Sequence, residues 1–120
     1  MAKIMLADDS DAIRQVLRDI LLIGNHEVVG ESADGDETIK KFSETKPELL
    51  LLDLAMPKKD GLAVIKEITA IHPDAKIIII TATDNHGIIK ECLDAGAKTH
   101  ISKPFDFDNV LKIISEIVSN

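Results

Sequence analysis

Residues 48–57 read ELLLLDLAMP: four consecutive leucines, Leu49 to Leu52, running into a carboxylate at Asp53. An unbroken apolar run of this length between polar residues suits a strand buried on both faces, as in a parallel sheet. Asp53 closes the run, and Pro57 soon removes a ladder donor. A carboxylate at the tip of a buried strand is costly unless something pairs with it. The rest of the chain has to supply that partner.

Upstream, Lys3-Ile4-Met5-Leu6-Ala7 is strand-like and ends on Asp8-Asp9. Ile13, Val16, Leu17, Ile20 and Leu21 then follow the i, i+3, i+4 spacing of an amphipathic helix, with Ser10 or Asp9 to cap it and Gly24-Asn25 to end it. Val28-Val29 and their neighbours make a short second strand. Asp34, three residues before Glu37, resembles a capping box for a helix carrying Ile39 and Phe42. Pro47 separates that helix from the leucine strand.

Downstream, Lys58-Lys59-Asp60-Gly61 is turn-like and leads into a helix with Leu62, Ile65, Ile68 and Ile71. Ile77 to Ile80 form a second wholly apolar strand, ending on Thr81. A fourth helix carries Ile88, Cys92 and Ala95 and stops at Gly96; Gly87 near its start should weaken it by up to ~1 kcal/mol relative to alanine. A short strand from Lys98 to Ser102 meets Lys103-Pro104. The last helix has the clearest stripe: Phe107, Val110, Leu111, Ile114, Ile117 and Val118. Strands and helices thus alternate five times. That pattern predicts an α/β domain, a parallel sheet wound on both faces by helices.

The bulk numbers agree and exclude several roles. The chain of 120 residues, 45% hydrophobic and 29% charged, suits a single folded domain rather than disorder. A net charge of −7 argues against nucleic acid and against anionic membrane surfaces as partners. With three Phe and no Trp or Tyr, aromatic base-stacking platforms are missing. The single cysteine, Cys92, excludes an internal disulfide and a cysteine-based zinc site, and its helical setting marks it as core. His26, His72 and His86 show no metal-ligand spacing. No apolar run approaches the ~20 residues of a membrane span, and Met1-Ala2-Lys3-Ile4 enters the first strand with no signal-peptide pattern, so a cytoplasmic location is expected.

In a parallel sheet the strand ends share one edge, where open α/β folds bind ligands. Collected there are Asp8 and Asp9, Asp53, Thr81 and Lys103. If the first and third strands are neighbours, three carboxylates converge, and such a cluster needs protons or a cation. A hard divalent ion, Mg²⁺ above all, fits all-oxygen ligands. Metal, lysine and hydroxyl around a carboxylate are the parts that stabilise a transferring phosphoryl group. The carboxylate can itself be the nucleophile, and Asp53, with no acidic neighbour in sequence, is the best placed. Taken singly, each residue has a plainer reading: Asp8-Asp9 as helix caps, Thr81 as a strand end, Lys103 as a solvated lysine, Pro104 as a turn. Their consistency as a set is what argues for a site.

ADDS after the first strand, LLLLDLAMPKKDG, IIIITA and GAKTHISKPF together resemble the receiver domain of two-component response regulators, over essentially the whole chain. The resemblance implies a flavodoxin-like sheet of order 2-1-3-4-5 with five helices. It implies one receiver domain over residues 1–120 with no output domain, similar to chemotaxis response regulators, and a monomer. Asp53 would be the phosphoacceptor, taking a phosphoryl group from a phosphohistidine of a sensor kinase or phosphotransfer protein. Asp9 and Asp53 would bind Mg²⁺, with Mn²⁺ as an alternative, Asp8 close by, and the Ala55 backbone carbonyl as a further ligand. Thr81, the Ala82 backbone N–H and Lys103 would contact the phosphoryl oxygens. The Lys103–Pro104 bond is expected to be cis, as X–Pro bonds can be. Output would pass through the fourth helix, fifth strand and fifth helix to a protein target, in chemotaxis or a phosphorelay. The product would be a switch rather than an enzyme, beyond self-phosphorylation and slow self-dephosphorylation.

The chain departs from the family in two places. His100 stands where an aromatic switch residue is usual, and histidine titrates near neutrality. Ala55, two residues after Asp53, is apolar where many relatives are polar, and with Thr83, two after Thr81, should alter water access to an acyl phosphate and hence its lifetime. A competing reading is a small haloacid dehalogenase-like phosphatase with Asp9 as nucleophile, since Asp9-Ser10-Asp11 is a D-x-D. Ile13, the lack of a later acidic pair and the short chain weigh against it.

Overall fold

The computed structural model describes residues 2–119. Ten elements alternate: β1 (Lys3–Ala7), α1 (Asp11–Ile23), β2 (Glu27–Ser32), α2 (Gly35–Thr45), β3 (Leu49–Asp53), α3 (Gly61–Ile71), β4 (Ile77–Thr81), α4 (His86–Ala95), β5 (Thr99–Ser102) and α5 (Phe107–Val118). All strand pairs are parallel, and the sheet order is β2-β1-β3-β4-β5, as the resemblance implies.

The two-residue period of a strand explains why the central runs are wholly apolar. Met5, Ala7, Leu50, Leu52, Ile77 and Ile79 face one layer, where they pack with Phe42 of α2, Val64, Ile65 and Ile68 of α3, and Cys92 of α4. Ile4, Leu6, Leu49, Leu51, Ile78 and Ile80 face the other, against Leu17, Ile20 and Leu21 of α1 and Val110 and Ile114 of α5. Leu49 to Leu52 are each 0% exposed, and full burial of such a side chain is worth roughly 1.5–3 kcal/mol. The β1–β2 pairing carries a bulge: Ile4 is opposite Val28 but Met5 is opposite Gly30.

Helix starts follow the sequence closely. Ser10, not Asp9, caps α1, its side chain accepting the Ile13 N–H. Asp34 caps α2 by accepting the Glu37 N–H, while the Glu37 carboxylate reaches back to the Ala33 N–H rather than to that of Asp34. Asn85 caps α4 by accepting the Gly87 and Ile88 N–H groups, so Gly87 lies in the capped first turn rather than in the helix interior.

Several helix faces differ from expectation. In α4 it is Ile89 with Cys92 that is buried, and Ile88 is 44% exposed. Residues 88 and 89 lie four and three positions before Cys92, so helical spacing admits either. In α3, Val64 joins Ile65 and Ile68 in the core while Ile71, in the last turn, is exposed. Phe107, in the first turn of α5, is half exposed. Cys92 is in the core as expected, and burial pushes its thiol above the usual cysteine value.

Candidate functional site

β1 and β3 are parallel neighbours with Ala7 opposite Leu52, so the acids that follow Ala7 emerge beside Asp53. One carboxylate oxygen from each of Asp8, Asp9 and Asp53 lies within 4.8 Å of the others. Asp8 and Asp53 are buried and Asp9 is exposed. β5 delivers Lys103 to the same place: its Nζ is 3.3 Å from Asp8 Oδ2 and 3.4 Å from Asp53 Oδ1. Three carboxylates against one ammonium leave the cluster net negative. Burial, then the charge of Asp8, raise the Asp53 pKa above its ordinary value; Lys103 and the Ala55 N–H, 3.4 Å from Asp53 Oδ1, oppose the rise without cancelling it. That residual penalty on the ionised form is what a bound cation relieves.

The Asp8-Asp9 turn is tied down from α1. The Ser10 N–H donates to Asp8 Oδ1 at 2.9 Å, and Arg14 Nη1 donates to the Asp8 backbone carbonyl at 2.6 Å. Arg14 Nε and Arg18 Nη1 both donate to Glu31 Oε1 of β2. With Ser10 as the cap, Asp9 has no capping duty, and its carboxylate stands at the mouth of the cluster. Sequence reading missed Arg14, because an arginine on the polar face of an amphipathic helix carries no signal that its guanidinium turns back to a main-chain carbonyl.

Thr81 ends β4, buried, with its hydroxyl accepting the Thr83 N–H at 3.1 Å. Its backbone carbonyl accepts the Lys103 N–H at 2.8 Å, which holds the two strand ends together. Lys103–Pro104 is cis. A cleft of about 650 Å³ opens over Asp53, and Ala55, Thr81, Ala82 and Lys103 line it. The same cleft continues over an apolar wall made by Leu62, Ile88 and Cys92, which motif reading did not reveal. His100 is half-buried on β5 opposite Ile79 and does not line the cleft. The structure therefore brings Asp8, Asp9, Asp53, Ala55, Thr81, Ala82 and Lys103 to one edge, and sets His100 apart, two residues back from that edge along β5.

Comparison with known proteins gives this arrangement its class. The profile of the response regulator receiver domain matches residues 4–115. The chemotaxis protein CheY of Thermotoga maritima is 36% identical over 115 residues, covering 96% of both chains. CheY of Bacillus subtilis is 35% identical over 117 residues, covering 98% of both. Among solved structures, the CheX-CheY-BeF3-Mg complex from Borrelia burgdorferi contains a chain that superposes with a TM-score of 0.93 at 30% identity, covering 96% of this chain and 87% of that one.

The chain belongs to the response regulator receiver domain family. Within that family it is similar to CheY over nearly its whole length, and it is a phosphorylation-activated signalling switch rather than a dedicated enzyme. The haloacid dehalogenase-like alternative finds no support in these similarities.

Proposed function

We propose that Asp53 is the residue that accepts the phosphoryl group, and that a phosphohistidine on a histidine kinase or phosphotransfer protein supplies it. An Asp53 carboxylate oxygen attacks phosphorus, the phosphorus–nitrogen bond breaks, and the imidazole leaves with the bond's electron pair. The all-oxygen cluster of Asp8, Asp9 and Asp53 fits Mg²⁺ and would accept Mn²⁺, with the backbone carbonyl of Ala55, which lines the same cleft, as a further ligand. When bound, the ion neutralises charge on the phosphoryl oxygens and on the acceptor carboxylate. Lys103 holds the cluster as an ion pair in the resting protein and can turn the same ammonium to a phosphoryl oxygen. The Thr81 hydroxyl and the Ala82 N–H, from two residues that line the cleft, would be the neutral donors to the phosphoryl oxygens. No helix of the described residues is long and apolar enough to cross a membrane.

The observation that carries this reading is the meeting of three carboxylates and one lysine at the carboxyl edge of the sheet. The beryllofluoride and Mg²⁺ named in the Borrelia complex support it by similarity. We extend the reading to output: phosphorylation draws Thr81 inward, His100 follows on the same face of the sheet, and the α4–β5–α5 surface changes affinity for a protein target. Incubation with acetyl phosphate should phosphorylate the protein only when Mg²⁺ is present, and Asp53→Asn should abolish the labelling. Full labelling of that variant would overturn the assignment.

A further inference from the structure

The loop between β3 and α3 carries Ala55, and the N-terminus of α2 grips that loop through residues 34–36. The Gly35 N–H donates to the Pro57 carbonyl at 3.1 Å. Lys58 Nζ lies 3.5 Å from Asp34 Oδ2, and Lys59 Nζ lies 3.6 Å from Asp36 Oδ1. Lys59 also pairs with Glu67 of α3, so the loop is held from both sides. Space at the contact is closed: a Cβ on Gly35 would sit 2.5 Å from Lys59 Cβ and 2.5 Å from the Lys59 carbonyl oxygen. The second of these is main chain and cannot swing aside. Only a residue without a side chain lets α2 come this close.

From this geometry we infer that the N-terminus of α2, with Gly35 at its centre, positions the Ala55 carbonyl for the cation. The inference rests on the assignment of Ala55 as a ligand. Gly35 does not line the cleft; it acts by holding residues 57–59, the stretch of loop that follows Ala55. Outer partners of a metal site commonly change affinity about 10–100-fold when altered. Coupling of this kind is reciprocal: if α2 orders the loop for the ion, the ion must steady the contact between α2 and the loop.

Two measurements test this. In the unaltered protein, hydrogen exchange at the Gly35 amide, read by NMR, should slow at least severalfold on adding MgCl2, and this response should vanish in Asp9→Asn. Separately, titration calorimetry with MgCl2 should show Gly35→Ala binding about tenfold more weakly than the parent. Gly30→Ala, whose added Cβ meets only a Thr45 side chain at 3.3 Å and Met5 beyond, should bind as the parent does. Mg²⁺ binding to the parent with no change in Gly35 exchange would refute the coupling and leave the cation site standing. Equal affinities of Gly35→Ala and the parent would refute it too. Failure of the parent to bind Mg²⁺ would remove the cation site itself, and the coupling with it.

Discussion

Replacing Lys103 by methionine removes the ammonium that, among the described residues, pairs with Asp8 and Asp53. Its nitrogen is 3.3 Å from Asp8 and 3.4 Å from Asp53, whose side chains are 2% and 6% exposed. At an effective dielectric near 20, each attraction is worth about 5 kcal/mol before desolvation. Removing one partner of a buried pair typically costs about 3–5 kcal/mol, because the other charge stays behind. Two effects hold the loss toward the lower bound: methionine needs no hydration, and Asp53 can take up a proton. A destabilisation of about 3 kcal/mol is therefore expected in EDTA at pH 8. The Asp53 pKa is already raised in the fold, so its ionised form costs stability at pH above the folded value. That cost disappears as pH falls toward the unfolded value, because the folded state then holds the proton. Losing Lys103 raises the pKa further and makes the dependence steeper. Urea unfolding followed by circular dichroism should show Lys103→Met closing its gap to the parent as pH falls through the folded Asp53 pKa, and gaining more from MgCl2 than the parent does. Unfolding midpoints that match the parent at pH 8 in EDTA would refute this electrostatic picture.

Further expectations follow from single contacts. Asp53→Asn should raise the melting temperature of the metal-free protein by a few degrees at pH 8, an advantage that shrinks toward acid pH, since it removes a carboxylate destabilised by burial and Asp8. Ser10→Ala should cost about 1 kcal/mol through the lost α1 cap, whereas Asp9→Ala should leave urea stability in EDTA nearly unchanged and abolish Mg²⁺ binding by calorimetry. Gly61→Ala should lower stability by about 1–3 kcal/mol, because its Cβ would fall 2.9 Å from the Leu54 Cα and against the Leu54 side chain. Leu51→Ala, in a fully buried position on β3, should cost about 3–5 kcal/mol in the same assay.

Most of the fold was legible because its strands are apolar on both faces and its helices are bounded by side chains that cap. Leu49–Leu52 and Ile77–Ile80 admit few placements other than the centre of a parallel sheet. Sheet order came from family resemblance, since periodicity alone does not say which strand lies next to which. Where two adjacent residues satisfied one helical stripe, as Ile88 and Ile89 do, spacing could not choose the buried one; in the fold Ile89 is buried and Ile88 lines the cleft. Strand-end residues of the site were legible because parallel strands must end on one edge. Arg14, Gly35 and Lys59 were not. Arg14 turns back to the Asp8 carbonyl, the Gly35 N–H reaches the Pro57 carbonyl, and the Lys59 ammonium pairs with Asp36 and Glu67; no residue pattern encodes these contacts.

Borohydride reduction after treatment with acetyl phosphate and MgCl2 converts an acyl phosphate on an aspartate to homoserine, and peptide mass spectrometry locates it. Homoserine at position 53 alone, absent when EDTA replaces MgCl2, is the expected result for a receiver whose acceptor stands at the end of the leucine strand. Homoserine at position 9, or modification of position 53 undiminished by EDTA, would contradict it.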